Sequence, residues 1–337
     1  MKVAVMGSGS WGTVFSKVSV DAGNEVTLWT RSEEIASSIN QNHKNPSYVS
    51  DVNLPVSLKA TTDVKAALEG AEVVVIALPS QVYRENLSSW KELIPPKAIL
   101  VSLAKGIEFE SNLRMSQVMQ EATGFAASQL AVLSGPNLAH EIAEEQPTAT
   151  TIACIDEANA QKVQEACANS YFRPYFTKDV IGVEIAGSMK NVIALANGIA
   201  VGLGLGENSQ ASLITRGLHE MAQLGIALGS DQRTFMGLAG AGDLLATSQS
   251  PLSRNRSFGL QLASGKTVEE VIAQTRETCE AVKSCMPLLR LGQEAGVSLP
   301  ITAGVVGVVH RNLDPQELIT RFMSRAIKAE YEDEGYR

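Results

Sequence analysis

The chain has 337 residues, 45% of them apolar, with 36 acidic against 28 basic side chains and a formal charge of −8. That length accommodates two domains and a sizeable core. The acidic balance excludes the broad cationic footprint of a nucleic-acid or anionic-membrane partner, so any phosphate must be held by a few local groups.

Residues 2–6 form a β-branched run expected to be a buried parallel strand. Gly7-Ser8-Gly9-Ser10-Trp11-Gly12 follows at once and opens a helix. This is GxGxxG between strand and helix. Gly7 permits the tight turn, Gly9 lets the backbone approach a pyrophosphate, and Gly12 lets the helix pack on the strand. The phosphates would lie at the positive end of that helix. A second strand, 25–29, leads into Thr30-Arg31-Ser32. A carboxylate at this corner suits the ribose of NAD(H); Arg31 suits a 2′-phosphate, so NADP(H) is favoured and NAD(H) stays open.

Residues 35–40 read as helix, and 43–55 as a loop in which Tyr48 is a candidate to lie over a nucleotide. Asp63 caps a short helix over 63–69. The buried strand 73–78 ends in Pro79-Ser80, and the strand 98–102 delivers Lys105-Gly106 at a carboxyl end, where open parallel sheets gather ligands. Strand 130–134 runs into Gly135-Pro136-Asn137-Leu138-Ala139, with Asn137 expected as a helix N-cap. Strands over 148–154 and 173–176 complete an α/β, doubly wound domain, 1–182.

Helical periodicity then takes over, and 183–330 reads as an α-helical domain. Residues 183–198 form one long helix with an apolar stripe of Ile185, Met189, Val192, Ala196 and Ile199. Lys190 lies off that stripe among small neighbours, Gly187 and Ala194, with Asn191 and Asn197 near. A cation with open space beside it is suited to a substrate oxygen. Gly202, Gly204 and Gly206 separate this helix from another over 209–228. Asp243 follows the glycine-rich stretch 237–242 and reads as a helix cap, while Ser253, Arg254 and Asn255 form a compact set of phosphate donors. The tail, 331–337, is charged and expected to be flexible. Cys154, Cys167, Cys279 and Cys285 form no CxxC pair and no metal spacing with the four histidines, which suits reduced thiols in a cytoplasmic protein. No signal-peptide pattern opens the chain and no apolar run reads as a membrane span.

Six blocks in one order carry a resemblance: 7–12, 105–108, 134–136, 184–198, 240–244 and 253–255. On them the chain resembles the bacterial-type NAD(P)-dependent glycerol-3-phosphate dehydrogenases over almost its whole length. The resemblance implies a Rossmann-type domain joined to an all-α substrate domain. It implies reversible hydride transfer between NAD(P)H and dihydroxyacetone phosphate, giving sn-glycerol 3-phosphate for phospholipid synthesis. It makes Lys190 the general acid/base and places Lys105 between cofactor and substrate. Asp243, Gly135 and Asn137 would contact the substrate, and Ser253, Arg254 and Asn255 its phosphate. Ser10, Trp11, Arg31, Ala139, Arg254 and Glu280 would meet the cofactor. For its task the Lys190 pKa should fall from about 10.4 toward about 7–8. Lys105 would lower it and Asp243 raise it, and the sequence does not decide between them.

Asn137 departs from the family's usual Ser or Thr, residues 278–282 match its Val-Ala-Glu-Gly-Val only in part, and Leu245 stands where relatives are often polar. A hydroxy-acid reductase of similar build and a non-catalytic NADP sensor are the alternatives. The phosphate set argues against the first, and Lys190, Lys105 and Asp243 together argue against the second. Oligomeric state, a homodimer included, is left open.

Overall fold

Eight strands form one sheet: β1 (Lys2–Met6), β2 (Glu25–Trp29), β3 (Lys59–Thr61), β4 (Val73–Ile76), β5 (Ile99–Ser102), β6 (Leu130–Ser134), β7 (Thr148–Ala153) and β8 (Phe172–Thr177). They lie in the order β3-β2-β1-β4-β5-β6-β7-β8. Every neighbouring pair is parallel except β6 and β7. The computed structural model describes residues 1–274, 279–318, 324 and 330. The tail 331–337 and Thr278 lie outside the described residues. All residues of β4, β5 and β6 are buried, which is why these strands read as unbroken apolar runs rather than alternating ones.

From β1 the chain builds outward through β2 and β3, then returns to lay β4 on the other flank of β1. The crevice beyond the carboxyl ends of β1 and β4 is therefore the topological switch point. Backbone is tightly joined there. Gly7 has φ +129°, and a Cβ on it would lie 2.5 Å from the Ala77 carbonyl oxygen beyond β4. A Cβ on Gly12 would lie 2.0 Å from the Gly7 oxygen. Both positions need glycine on packing grounds alone.

The second half packs around one helix, Val180–Gly202, which begins earlier than periodicity suggested because Asp179 caps it, accepting from the Gly182 N–H at 2.9 Å. Residues 182–200 are buried on every side, so the expected apolar stripe is one part of an all-round core surface. Helices Arg254–Ala263, Glu207–Ala227, Asp243–Gln249, Glu280–Glu294 and Pro300–Arg311 surround it. Glycines let these helices pack closely. A Cβ on Gly198 would lie 2.0 Å from the Arg256 oxygen, and one on Gly259 2.1 Å from the Leu195 oxygen, so the two helices cross backbone to backbone. Gly187 is likewise covered, by Ser134 and Lys105. The room expected beside Gly187 is thus filled by those two side chains.

This core helix is also long and apolar enough to cross a membrane, contrary to the reading of the sequence, but 89% of its most apolar stretch is buried in protein. All four cysteines are free thiols.

Candidate active site

The half of the candidate site at the glycine turn is built from backbone. The helix Ser10–Asp21 starts at Gly9 with no side-chain cap, and a Cβ on Gly9 would meet nothing within 4 Å. Trp11 Nε1 is buried without a hydrogen-bond partner. Helix-start amides, open space at Gly9 and an unsatisfied indole N–H fit a dinucleotide pyrophosphate. Arg31 stands exposed at the carboxyl end of β2, beside this turn: the Gly7 N–H donates to Trp29 O at 3.1 Å and Ser8 Oγ to Thr30 Oγ1 at 2.7 Å. Ala139 begins the short helix Ala139–Ala143 and packs on the same core cluster as Trp11 and Tyr48.

The half around Lys190 is built from side chains on distant segments. Lys190 is 7% exposed. Its ammonium donates to Thr247 Oγ1 at 2.7 Å and lies 3.1 Å from Asp243 Oδ1. Lys105 reaches the other carboxylate oxygen, Asp243 Oδ2, at 2.6 Å and donates to Gly135 O at 2.8 Å. Thr247 Oγ1 donates to Asp243 Oδ1 at 3.1 Å. One carboxylate thus serves two cations. Burial lowers the Lys190 pKa, Asp243 raises it, and Lys105 and Arg254 lower it again; the balance is about 8. Desolvation, absent from the pairwise argument on the sequence, decides the outcome. Burial would raise the Asp243 carboxyl, but Lys105 and then Lys190 outweigh it and hold it below its usual range.

Behind these groups, Asn191 Nδ2 donates to Lys105 O at 2.9 Å, and Asn255 Nδ2 to Asn191 Oδ1 at 2.9 Å. Asn255 Oδ1 accepts from Cys279 Sγ and the Ala281 N–H. Ser253 caps the helix Arg254–Ala263 through Arg256 N at 3.3 Å, so its hydroxyl has a structural task as well. Arg254 is exposed, and its charge bears on both Lys190 and Glu280. Glu280 accepts from Ser80 Oγ at 2.6 Å and from Ser80 N at 3.2 Å, fastening the helix Glu280–Glu294 to the carboxyl end of β4. Burial raises its pKa against those bonds.

Two capping assignments are corrected. Leu138, not Asn137, occupies the N-cap, and Asn137 Nδ2 instead donates to Thr150 Oγ1 at 3.0 Å. Asp243 is the first residue within its helix, after a π-helical segment over Leu238–Gly242, and turns its carboxylate to the two lysines rather than to backbone. Two contributors escaped the sequence reading. Thr247 lies one helical turn beyond Asp243, an i,i+4 relation that was visible. Asn45 is a fully buried loop asparagine whose partners only the fold reveals.

The N-terminal profile of NAD-dependent glycerol-3-phosphate dehydrogenases matches residues 2–160, and the C-terminal profile matches residues 179–320. The chain belongs to this family. Glycerol-3-phosphate dehydrogenases (NAD(P)+) of Corynebacterium urealyticum and Corynebacterium glutamicum are 53% and 55% identical to it over 331 residues, 98% of this chain and all of each relative. The crystal structure of glycerol-3-phosphate dehydrogenase from Coxiella burnetii is similar with a TM-score of 0.91 and 35% identity, covering 96% of this chain and 99% of that one. A ketopantoate reductase from Ralstonia eutropha, TM-score 0.61 at 17% identity, shares the fold alone. The dehydrogenase is an NAD(P)-dependent oxidoreductase acting on a CH–OH group, and the hydroxy-acid reductase and sensor readings are set aside.

Proposed function

We propose that this dehydrogenase interconverts dihydroxyacetone phosphate and sn-glycerol 3-phosphate, for phospholipid synthesis, with Lys190 as general acid/base. The observation that carries the assignment is a buried lysine with its pKa drawn down to about 8 beside a carboxylate shared with a second lysine. When bound, the nicotinamide supplies or accepts the hydride.

In reduction, negative charge grows on the substrate oxygen as the carbonyl is lost. Lys190 stabilises that charge and gives up a proton; in oxidation the neutral amine takes it back. A pKa near working pH lets one group do both. Asp243 holds the two ammonium groups in register and contacts the substrate hydroxyls, and Lys105 adds a second positive charge at the junction with the cofactor. Thr247 fixes the Lys190 rotamer. Ser253, Arg254 and Asn255 take the phosphate, and Gly135 and Asn137 contact the same substrate. Gly7, Gly9, Ser10, Trp11 and Gly12 would hold the pyrophosphate, with Lys105, Ala139, Arg254 and Glu280 toward the nicotinamide half. Arg31 favours NADP(H), its guanidinium matching a 2′-phosphate at the end of β2. The domain division at 182/183 rests on the change from sheet to helix, although the helix itself starts at Val180. Free thiols suit a cytoplasmic location.

The test is NADPH oxidation with dihydroxyacetone phosphate, run beside NADH and beside unphosphorylated dihydroxyacetone. Oxidation that requires the phosphate is expected; equal rates with the unphosphorylated ketone would sink the phosphate assignment. Arg31→Asp is expected to lower the NADPH/NADH ratio of kcat/KM at least tenfold, about 1.4 kcal/mol. An unchanged ratio removes Arg31 from 2′-phosphate recognition.

A further inference from the structure

Asn45 lies in the loop between the helix Glu33–Asn42 and β3, and it is completely buried. Its side chain makes four hydrogen bonds. Nδ2 donates to Ser8 O at 2.9 Å and to Thr13 Oγ1 at 2.8 Å. Oδ1 accepts from Ser47 N at 3.1 Å and Tyr48 N at 3.2 Å. The orientation of the amide is dictated. Ser8 O can only accept, and the Thr13 hydroxyl hydrogen is committed to that same oxygen at 3.1 Å, so both partners on this side require a donor. Both hydrogens and both acceptor sites of the amide are used.

The consequence lies in the glycine turn. Carbonyl and N–H of a trans peptide point in opposite directions. With Ser8 O held by Asn45 and Thr13, the Gly9 N–H of the same peptide points away from both, at a residue where even a Cβ would meet nothing within 4 Å. The other end of Asn45 sets the backbone at Tyr48, whose ring packs against the cluster that also receives Trp11. Ser8 in turn bonds Thr30 at the end of β2, next to Arg31. One amide therefore joins the turn, the overlying loop and, through Ser8, the corner that reads the ribose.

We propose that Asn45 is a positioning residue for the dinucleotide: it sets the Ser8–Gly9 peptide to receive the pyrophosphate and fixes Tyr48 beside it. The proposal rests on the dinucleotide reading of the turn and reaches beyond it to a residue outside the glycine motif. Its effect is confined to cofactor affinity, because Asn45 touches neither the Lys190 cluster nor the phosphate set.

The experiment is titration of NADPH and NADH by fluorescence, with steady-state kinetics alongside, for wild type, Asn45→Ala, Thr13→Val, Thr13→Ser and the Asn45→Ala/Thr13→Val double variant. Asn45→Ala and Thr13→Val are each expected to raise Kd and KM for the nucleotide roughly tenfold, the worth of a hydrogen bond lost at a buried site. At saturating nucleotide, kcat and the KM for dihydroxyacetone phosphate should stay within about twofold, since uniform binding alone is lost. Thr13→Ser, which keeps the hydroxyl, should bind as wild type, and the double variant should be no weaker than the weaker single one. Unchanged nucleotide Kd in Asn45→Ala, a fall in kcat without a change in Kd, or failure of Thr13→Ser to restore binding would each overturn the proposal. If Asn45→Ala does not fold, the Thr13 pair decides it. Wild-type protein that bound neither nucleotide would overturn the cofactor reading itself, a result distinct from any of these.

Discussion

Among the described residues two lysines have almost no exposed surface, and their surroundings differ. Lys17, 6% exposed, lies in the first helix of the sheet domain; Lys190, 7% exposed, lies in the core helix of the helical half. Lys17 has three oxygen partners for one charge: Asp21 at 2.7 Å, Glu145 at 2.9 Å and Tyr171 Oη at 3.3 Å. Burial lowers its pKa, but Asp21, Glu145 and Tyr171 together outweigh that and raise it above the ordinary range. It is a permanent cation that fastens the glycine-turn helix to the segment after β6 and to the strand end before β8. Lys190 must share its one carboxylate with Lys105, and burial prevails. Over-supplied with anions, a buried lysine is a clamp; under-supplied, it becomes a group that can exchange a proton near neutral pH.

Exchange of either lysine for an uncharged residue tests that contrast most directly. Lys190→Ala is expected to lower kcat by about 10³-fold, within the range for general acid–base groups, while the Kd for NADPH stays within about twofold. Retention of a tenth of the wild-type rate would remove Lys190 from the acid/base role. Lys17→Met is expected to leave kcat nearly unchanged and to cost about 2 kcal/mol in urea unfolding, less than the loss of a fully buried pair because Glu145 is well exposed. A large fall in kcat with undiminished stability would reverse the assignment of clamp and catalyst.

A smaller effect sharpens the comparison. In the reduction direction kcat/KM should decline as pH rises through about 8, because protonated Lys190 is needed; in oxidation it should rise through the same pH. Asp243→Asn removes the field that raises the Lys190 pKa and should move that limb to lower pH. Lys105→Gln removes a field that lowers it and should move the limb to higher pH. Residual activity suffices for the measurement. Movement of both variants in one direction would show that the limb reports some group other than Lys190.

Legibility followed the kind of group each part of the site is made from. The turn 7–12 is contiguous and works through its backbone, and glycine spacing alone records where backbone must approach backbone. The positions of Arg31 and Lys105 were visible because strand ends in a parallel sheet have a known place. The Lys190 cluster is different. Nothing local told that Gly187 would be covered by Ser134 and Lys105 rather than open, or that Asp243 would turn from its own helix start to two lysines 53 and 138 residues away in the chain. Asn137 misled for the same reason: a capping residue type met a stronger partner, Thr150, supplied by a neighbouring strand.

Local pattern therefore determined every strand but β3, whose three residues carry too little pattern to read, together with the glycine turn at the switch point, the change to helix near residue 180, and the residue types available for hydride chemistry on a phosphorylated substrate. Tertiary structure alone decided that the core helix is buried on every side, that β7 runs against β6, that Asn45 reaches back to Ser8, and that Lys190 loses enough water to bring its pKa to about 8. The physical reason is that backbone conformation is set by near neighbours along the chain, whereas desolvation depends on every element that packs against a group.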